Sequence, residues 1–311
     1  MTNLASLSLF TALVFGLVAV ELRAAHRPRH FSFREATLAS VIWIALALAF
    51  NTGVYFFRGP QLALEFLTGY VLELSLSLDN VFVFALTFAY APVPPERQHR
   101  VLFWGVLGAM VMRAMFMVTG VELIGHFRWA LALLGVFLIV SGFSLLRRKE
   151  KTIRPERNLA LRLAQKLFSV TENYEGATFF VRRNGHLFAT PLFLVLIMVE
   201  TTDVLLASDS IPAVLGVTRD PFVVFTSNLF AVLGLRALYF VLARALRKFR
   251  HLHIGICLVL VFVGATMVGS HLYRVPTWAS LAVICCLVAV TIVASVARGV
   301  AETIQSPGAD S

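Results

Sequence analysis

Charge is scarce in this 311-residue sequence: Asp, Glu, Lys and Arg make up 14% of it, against about a quarter of a soluble domain. With 59% hydrophobic residues and a mean hydropathy of +0.82, that shortage excludes a soluble globular domain and points to a polytopic membrane protein. Cysteine is scarcer still. Cys257, Cys285 and Cys286 all lie in apolar stretches without CxxC spacing, which excludes a disulfide framework and leaves packing as their role. Catalytic signatures are missing: there is no HExxH, no G-x-S-x-G and no Gly-x-Gly-Asp, so no enzyme is expected. No lipidation, targeting or low-complexity signature stands out. The net charge is +10, yet no basic segment is interleaved with aromatics, which excludes a nucleic-acid partner.

What is present is a series of apolar runs long enough to cross about 30 Å of hydrocarbon. They fall at 5–21, 36–57, 62–90, 101–122, 129–146, 190–215, 222–243, 253–272 and 277–297. The expected fold is therefore all-α, a membrane helix bundle of nine spans in a single domain. The first run has no Lys or Arg before it and four arginines after it (Arg23, Arg27, Arg29, Arg34), which reads as a retained helix with its N-terminus outside. On that topology 21 of the 27 basic residues fall on inner segments and only Arg58, Arg128, Arg219 and Arg274 on outer ones, as basic loops staying in the cytoplasm require. The same distribution predicts a cytoplasmic C-terminus. The segment 147–189 is the only sizeable non-membrane stretch. Its Leu159, Leu163, Leu167 and Phe168 recur at helical spacing, predicting a short amphipathic helix whose apolar stripe docks on the bundle, or lies on the membrane's inner face. This loop is also the expected surface for membrane-protein partners.

Seven ionisable residues interrupt the apolar runs: Glu73, Asp79, Arg113, Glu200, Asp203, Asp209 and Arg236. Facing lipid, each costs about 2.5–3.5 kcal/mol and the set roughly 20 kcal/mol. They must therefore face one another, water or an ion.

The acidic segments match. Glu73-Leu-Ser-Leu-Ser-Leu-Asp79-Asn80 aligns with Asp203-Val-Leu-Leu-Ala-Ser-Asp209-Ser210, and Met112-Arg113-Ala114-Met115-Phe116 in the next run aligns with Leu235-Arg236-Ala237-Leu238-Tyr239. This predicts an internal duplication of three helices, 62–146 and 190–272, inserted with opposite orientation, joined by the 147–189 loop. Two peripheral helices precede it (1–61), and a last helix with a short tail follows it (273–311). Glu73 and Asn80, seven residues apart, nearly align on a helix, whereas Glu73 and Asp79 stand about 120° apart. Pro212 removes a hydrogen bond to the carbonyl of Ser208, which predicts a break in the helix beside Asp209.

Five carboxylates face two guanidiniums, so three negative charges are in excess if all ionise. Arg113 and Arg236 read mainly as charge-pairing partners, and Asn228 as a helix-to-helix hydrogen bonder. The excess calls for a cation, protons or both. Glu73, Asp79, Asn80, Glu200, Asp203, Asp209 and Ser210 offer oxygen donors, which suit Mg²⁺, Ca²⁺ or Mn²⁺, while the His and Cys that Zn²⁺ or Cu⁺ would take are absent from the midplane.

The segments ELSLSLDNVFVF at 73–84, YEGATFFVRRNGHLFATPLFLVLIMVETTDVLLASDSIPA at 174–213 and DPFVVFTSNLFAVLGLRALYF at 220–240 resemble the TerC family, its Alx-type members in particular. The resemblance implies an integral protein of the bacterial inner membrane associated with manganese export, pH response and tellurium resistance. Glu73, Asp79, Asn80, Asp203, Asp209 and Ser210 stand at the family's acidic motif positions. Thr201-Thr202-Asp203 replaces the frequent Phe-Thr-Asp, and Ala207-Ser208-Asp209-Ser210 replaces Ala-Val-Asp-Ser; both changes keep the acids. The expected function is a secondary transporter that exports Mn²⁺ as cargo, with no permanently bound cofactor and with protons as the exchanged ion. The alternative is a non-transporting membrane assembly or tellurium-resistance factor with a structural acidic core.

Overall fold

Four helices begin on proline, at Pro60, Pro95, Pro191 and Pro221. The missing N–H is no loss at a first helical position, and the fixed φ favours the turn. The computed structural model describes residues 16, 33–147, 158–183, 185–242, 252–270, 273 and 275–305. Among the described residues the helices are α1 (Phe33–Arg58), α2 (Pro60–Tyr90), α3 (Pro95–His126), α4 (Arg128–Arg147), α5 (Leu159–Leu167), α6 (Pro191–Val217), α7 (Pro221–Leu242), α8 (Leu252–Gly269) and α9 (Thr277–Gln305). Seven are long and apolar enough to cross a membrane, and Ile254–Gly269 within α8 is a shorter apolar helix. The expected span at 5–21 lies outside the described residues, apart from Gly16. Gly59, at φ +98°, makes the reversal between α1 and α2, a conformation that residues with a Cβ rarely adopt.

α7 is buried on nearly every side, held by α1, α2 and α3; α2 also packs on α6, and α6 on α3. α4 and α8 pair with each other and flank α6, while α9 lies against α2 and α8 with most of its surface exposed. Two apolar layers fill the bundle. Leu72, Leu76, Ile211, Val214 and Leu260 belong to one. Phe84, Phe88, Leu102, Val195, Leu235 and Tyr239 belong to the other.

The α4–α8 contact is backbone on backbone. A Cβ added at Gly264 would lie 2.6 Å from the Gly135 carbonyl oxygen, and one at Gly142 would lie 2.9 Å from the Cys257 carbonyl oxygen. Neither carbonyl can swing aside as a side chain could. Gly264→Ala is therefore expected to cost about 1–3 kcal/mol, seen as a lower melting temperature of the detergent-solubilised protein. An unchanged melting temperature would mean the two helices separate freely.

The expected break at Pro212 is not there: α6 runs without interruption from Pro191 to Val217. Proline removes one hydrogen bond, and Ile211, Pro212, Ala213, Val214 and Leu215 are all buried, so packing on neighbouring helices holds the turn together.

The 147–189 loop is not wholly helical. β2 (Phe180–Arg183) and β3 (His186–Ala189) form an antiparallel hairpin with Arg183 opposite His186, and β1 (Ser169–Val170) joins β3 in parallel, giving the order β1-β3-β2. The all-α expectation thus omitted a small sheet outside the membrane helices. Its Arg-Arg-Asn-Gly-His sequence is a two-residue hairpin signal, with Gly185 at φ +82°. Tyr174 donates to the Ala91 carbonyl, and Arg97 and Arg100 lie over the Tyr174 and Phe179 rings, seating this loop on the α2–α3 turn. Burial raises the Tyr174 phenol pKa, and the Arg97 charge opposes that rise.

α5 is amphipathic as expected, and of the two placements for its leucine stripe it does not take the docked one. Leu161 and Ala164 face the bundle, whereas Leu159, Leu163 and Leu167 are exposed. The reason lies at its start. Asn158 caps the helix through Leu161 N at 3.0 Å while its Nδ2 donates to Thr201 Oγ1 of α6 at 2.7 Å, which fixes the helix rotation with the leucine stripe outward.

Candidate ion site in the bundle

Three helices bring buried charge together between the two apolar layers. On α2, Glu73, Ser77 and Asn80 fall on one stripe at spacings of four and three residues, and all three are buried. α3 contributes Arg113, and α6 contributes Asp203 and Ser210. Glu73, Arg113 and Asp203 are 0%, 1% and 2% exposed, so water does not screen them.

Arg113 is the centre of the cluster. Its Nη1 bonds Glu73 Oε1, and its other edge forks onto Asp203, Nε to Oδ2 at 3.2 Å and Nη2 to Oδ1 at 3.2 Å. Planar guanidinium suits such two-point recognition of a carboxylate. Asn80 Nδ2 also donates to Asp203 Oδ1 at 3.2 Å. Ser210 Oγ accepts from Arg113 Nη1 at 3.4 Å. The polar residue that closes each acidic motif thus joins the same cluster, Asn80 at Asp203 and Ser210 at Arg113. With one guanidinium between two carboxylates, this part of the site keeps one negative charge when all three ionise.

Some groups are left over. Glu73 Oε2, Ser77 Oγ and Asn228 Nδ2 are fully buried without a hydrogen-bond partner among the described residues. A buried polar atom left unmatched costs about 1–3 kcal/mol. Glu200 sits one turn before Asp203, half-buried, and is packed so closely on α3 that a Cβ at Gly108 would overlap its carboxylate. Asp203 is its charged neighbour.

Of the residues expected from sequence, the fold gathers Glu73, Asn80, Asp203, Ser210 and Arg113, with Glu200 at their edge. Asp209 is partly buried on α6 and Arg236 buried on α7, and neither is without a partner. Asp79 is helical within α2, but its side chain lies outside the described residues. Pro212 is buried two residues beyond Ser210. Asn228 is buried in α7 and does not form the helix-to-helix hydrogen bond expected of it among the described residues. Also among the described residues, no group of three or more His, Cys, Asp or Glu side chains could hold a metal by itself. Any cation here is met by carboxylate together with hydroxyl and amide oxygen. The ligand set expected from sequence included neither Ser77 nor Gly108. Ser77 carried a signal, since it stands four residues after Glu73 and three before Asn80; the contact of Gly108 with Glu200 carried none.

The family model described as "Integral membrane protein TerC family" matches residues 58–302, which spans every helix that contributes to this cluster. The chain belongs to the TerC family. Among relatives of this TerC-family chain, the uncharacterized membrane protein STKORF319 of Myxococcus xanthus is 44% identical over 290 residues, 93% of this chain and 91% of that protein. The candidate membrane-bound redox modulator Alx of Photorhabdus laumondii is 42% identical over 288 residues, 90% of each chain. Alx of Escherichia coli K12 is 41% identical over 289 residues, 88% of this chain and 89% of that one. No solved structure matches this TerC-family chain.

Proposed function

We propose that the chain is a secondary transporter of the inner membrane that exports a divalent cation, manganese above all, in exchange for protons. The observation that carries this reading is the composition of the buried cluster. It holds hard oxygen donors, keeps a negative charge after Arg113 is counted, and leaves Glu73 Oε2 without a partner among the described residues. A structural ion pair needs neither the residual charge nor the unmatched oxygen. Oxygen donors favour Mn²⁺, Mg²⁺ or Ca²⁺ over softer ions, and the manganese export that the motif resemblance implies supports Mn²⁺ among them.

The helix packing supports the inverted-repeat architecture of this transporter. If α2, α3 and α4 correspond to α6, α7 and α8, then the packing of α2 on α7 is the counterpart of α6 on α3, and that of α2 on α8 the counterpart of α6 on α4. The α4–α8 pair fits the same scheme. Gly142 and Gly264 each abut a backbone carbonyl of the other helix. Alternating access then consists of one repeat rocking against the other around the buried acids, with the loop-bearing end facing the cytoplasm.

Metal binding needs deprotonated carboxylates, so protons arriving from outside release the ion and couple export to the proton gradient. In proteoliposomes with an imposed pH gradient, Mn²⁺ is expected to move against the protons. Asp79→Asn and Asp209→Asn are each expected to abolish that flux. Absence of flux in the unaltered protein, or flux unchanged in both variants, would remove the reading.

A second reading has its own support. Arg113 already engages both Glu73 and Asp203, which fits a non-transporting membrane factor whose polar core fixes the bundle and whose 147–189 loop recruits partners. Deleting the middle of that loop would then abolish function while the Asp variants spare it, the reverse of the transport outcome.

A further inference from the structure

α2 carries four serine and threonine hydroxyls, and three of them behave as hydroxyls in apolar helices usually do. Thr68, Ser75 and Thr87 each donate to the carbonyl four residues back, at 2.7, 2.6 and 2.9 Å. This back-bonding satisfies the hydroxyl inside the helix. Ser77 does not do so. Its Oγ is fully buried and has no partner among the described residues.

Ser77 sits among the buried polar residues of the cluster. It stands one turn after Glu73 and one turn before Asn80, on the stripe that faces Arg113 and Asp203. One turn away, Glu73 Oε2 is the other unmatched oxygen of that stripe. Two hard oxygens, a carboxylate and a hydroxyl, are thus left open one turn apart on one helix stripe, in a cluster where Arg113 and Asn80 take both oxygens of Asp203 and Arg113 takes the other oxygen of Glu73. On α6, Ser210 likewise uses its hydroxyl within the cluster, toward Arg113.

We propose that Ser77 is a ligand of the transported cation, its hydroxyl and the open oxygen of Glu73 forming the hard-oxygen pair that selects the ion. The assignment rests on the ion-site reading above and adds to it a residue that decides selectivity. A hydroxyl supplies a neutral hard donor that suits Mn²⁺ or Mg²⁺, and a thiol of nearly the same size at that position suits thiophilic ions.

The test uses the full-length chain in detergent, titrated calorimetrically with Mn²⁺ alone and with Cd²⁺ alone. Ser77→Cys is expected to shift the ratio of the two affinities toward Cd²⁺ by about tenfold or more relative to the unaltered protein. Ser77→Ala is expected to weaken Mn²⁺ binding severalfold, with elution profile and melting temperature preserved. Ser75→Cys places a thiol two residues away, where the hydroxyl is bonded to Val71 O, and is expected to leave the ratio unchanged. Comparison with the unaltered chain subtracts the native cysteines. Mn²⁺ binding by the unaltered chain with an unchanged ratio in Ser77→Cys overturns the assignment and leaves the transport reading standing. A shift of the same size in Ser75→Cys also overturns it. No binding of either ion by the unaltered chain overturns both.

Discussion

Arg113→Met is expected to lower the melting temperature of the solubilised protein by roughly 10 °C, a loss of about 3–5 kcal/mol. The substitution removes the guanidinium that lies between Glu73 and Asp203, and leaves two carboxylates buried at 0% and 2% exposure. Neither can regain water, because apolar layers lie on both sides. Arg113→Lys is expected to fall between the two. It restores one positive charge, but an ammonium cannot present two parallel donors to Asp203 while holding Glu73. A melting temperature that Arg113→Met leaves unchanged would mean the guanidinium is not what neutralises the pair.

Glu73→Gln is expected to reduce Mn²⁺ flux in proteoliposomes by about 100-fold or more while changing stability little. The amide keeps the shape and one acceptor for Arg113, and Arg113 then faces Asp203 as a balanced pair. What disappears is the residual negative charge and the open carboxylate oxygen on which a cation depends. The two readings part here. A purely structural core tolerates a balanced pair and keeps its function, whereas an ion site does not. Flux in Glu73→Gln equal to that of the unaltered protein, at equal reconstituted amounts, would decide for the structural core.

The membrane helices were legible because hydrocarbon imposes a length. The expected run 62–90 became Pro60–Tyr90 and the run 36–57 became Phe33–Arg58. α3 begins earlier than its expected start at 101, because Pro95 and the polar turn that follows extend it beyond the apolar stretch. The acids were legible for a related reason: Glu73, Asp203 and Arg113 are too costly in lipid to be there by chance. Ser77 carries no such cost, since a serine in a membrane helix ordinarily bonds its own backbone, and only the placement of its hydroxyl separates it from Ser75. The break expected at Pro212 failed because a single proline decides less than the burial of the residues around it. Which way the leucine stripe of α5 turns was left open by the sequence, because its rotation is set by the contact of Asn158 with Thr201, forty-three residues apart in the chain.

The fork of Arg113 also bears on how the chain enters the membrane. α2 and α3 are consecutive, so Glu73 and Arg113 emerge from synthesis as neighbours and can partition into the bilayer as a hairpin in which those two charges cancel. α6 follows about eighty residues later, bearing Glu200, Asp203 and Asp209, and has no arginine of its own to cancel them. The unused edge of Arg113 is the receptor waiting for it. Chain order thus becomes assembly order, with an early hairpin serving as the docking partner that lets a late acidic helix leave the aqueous translocation path.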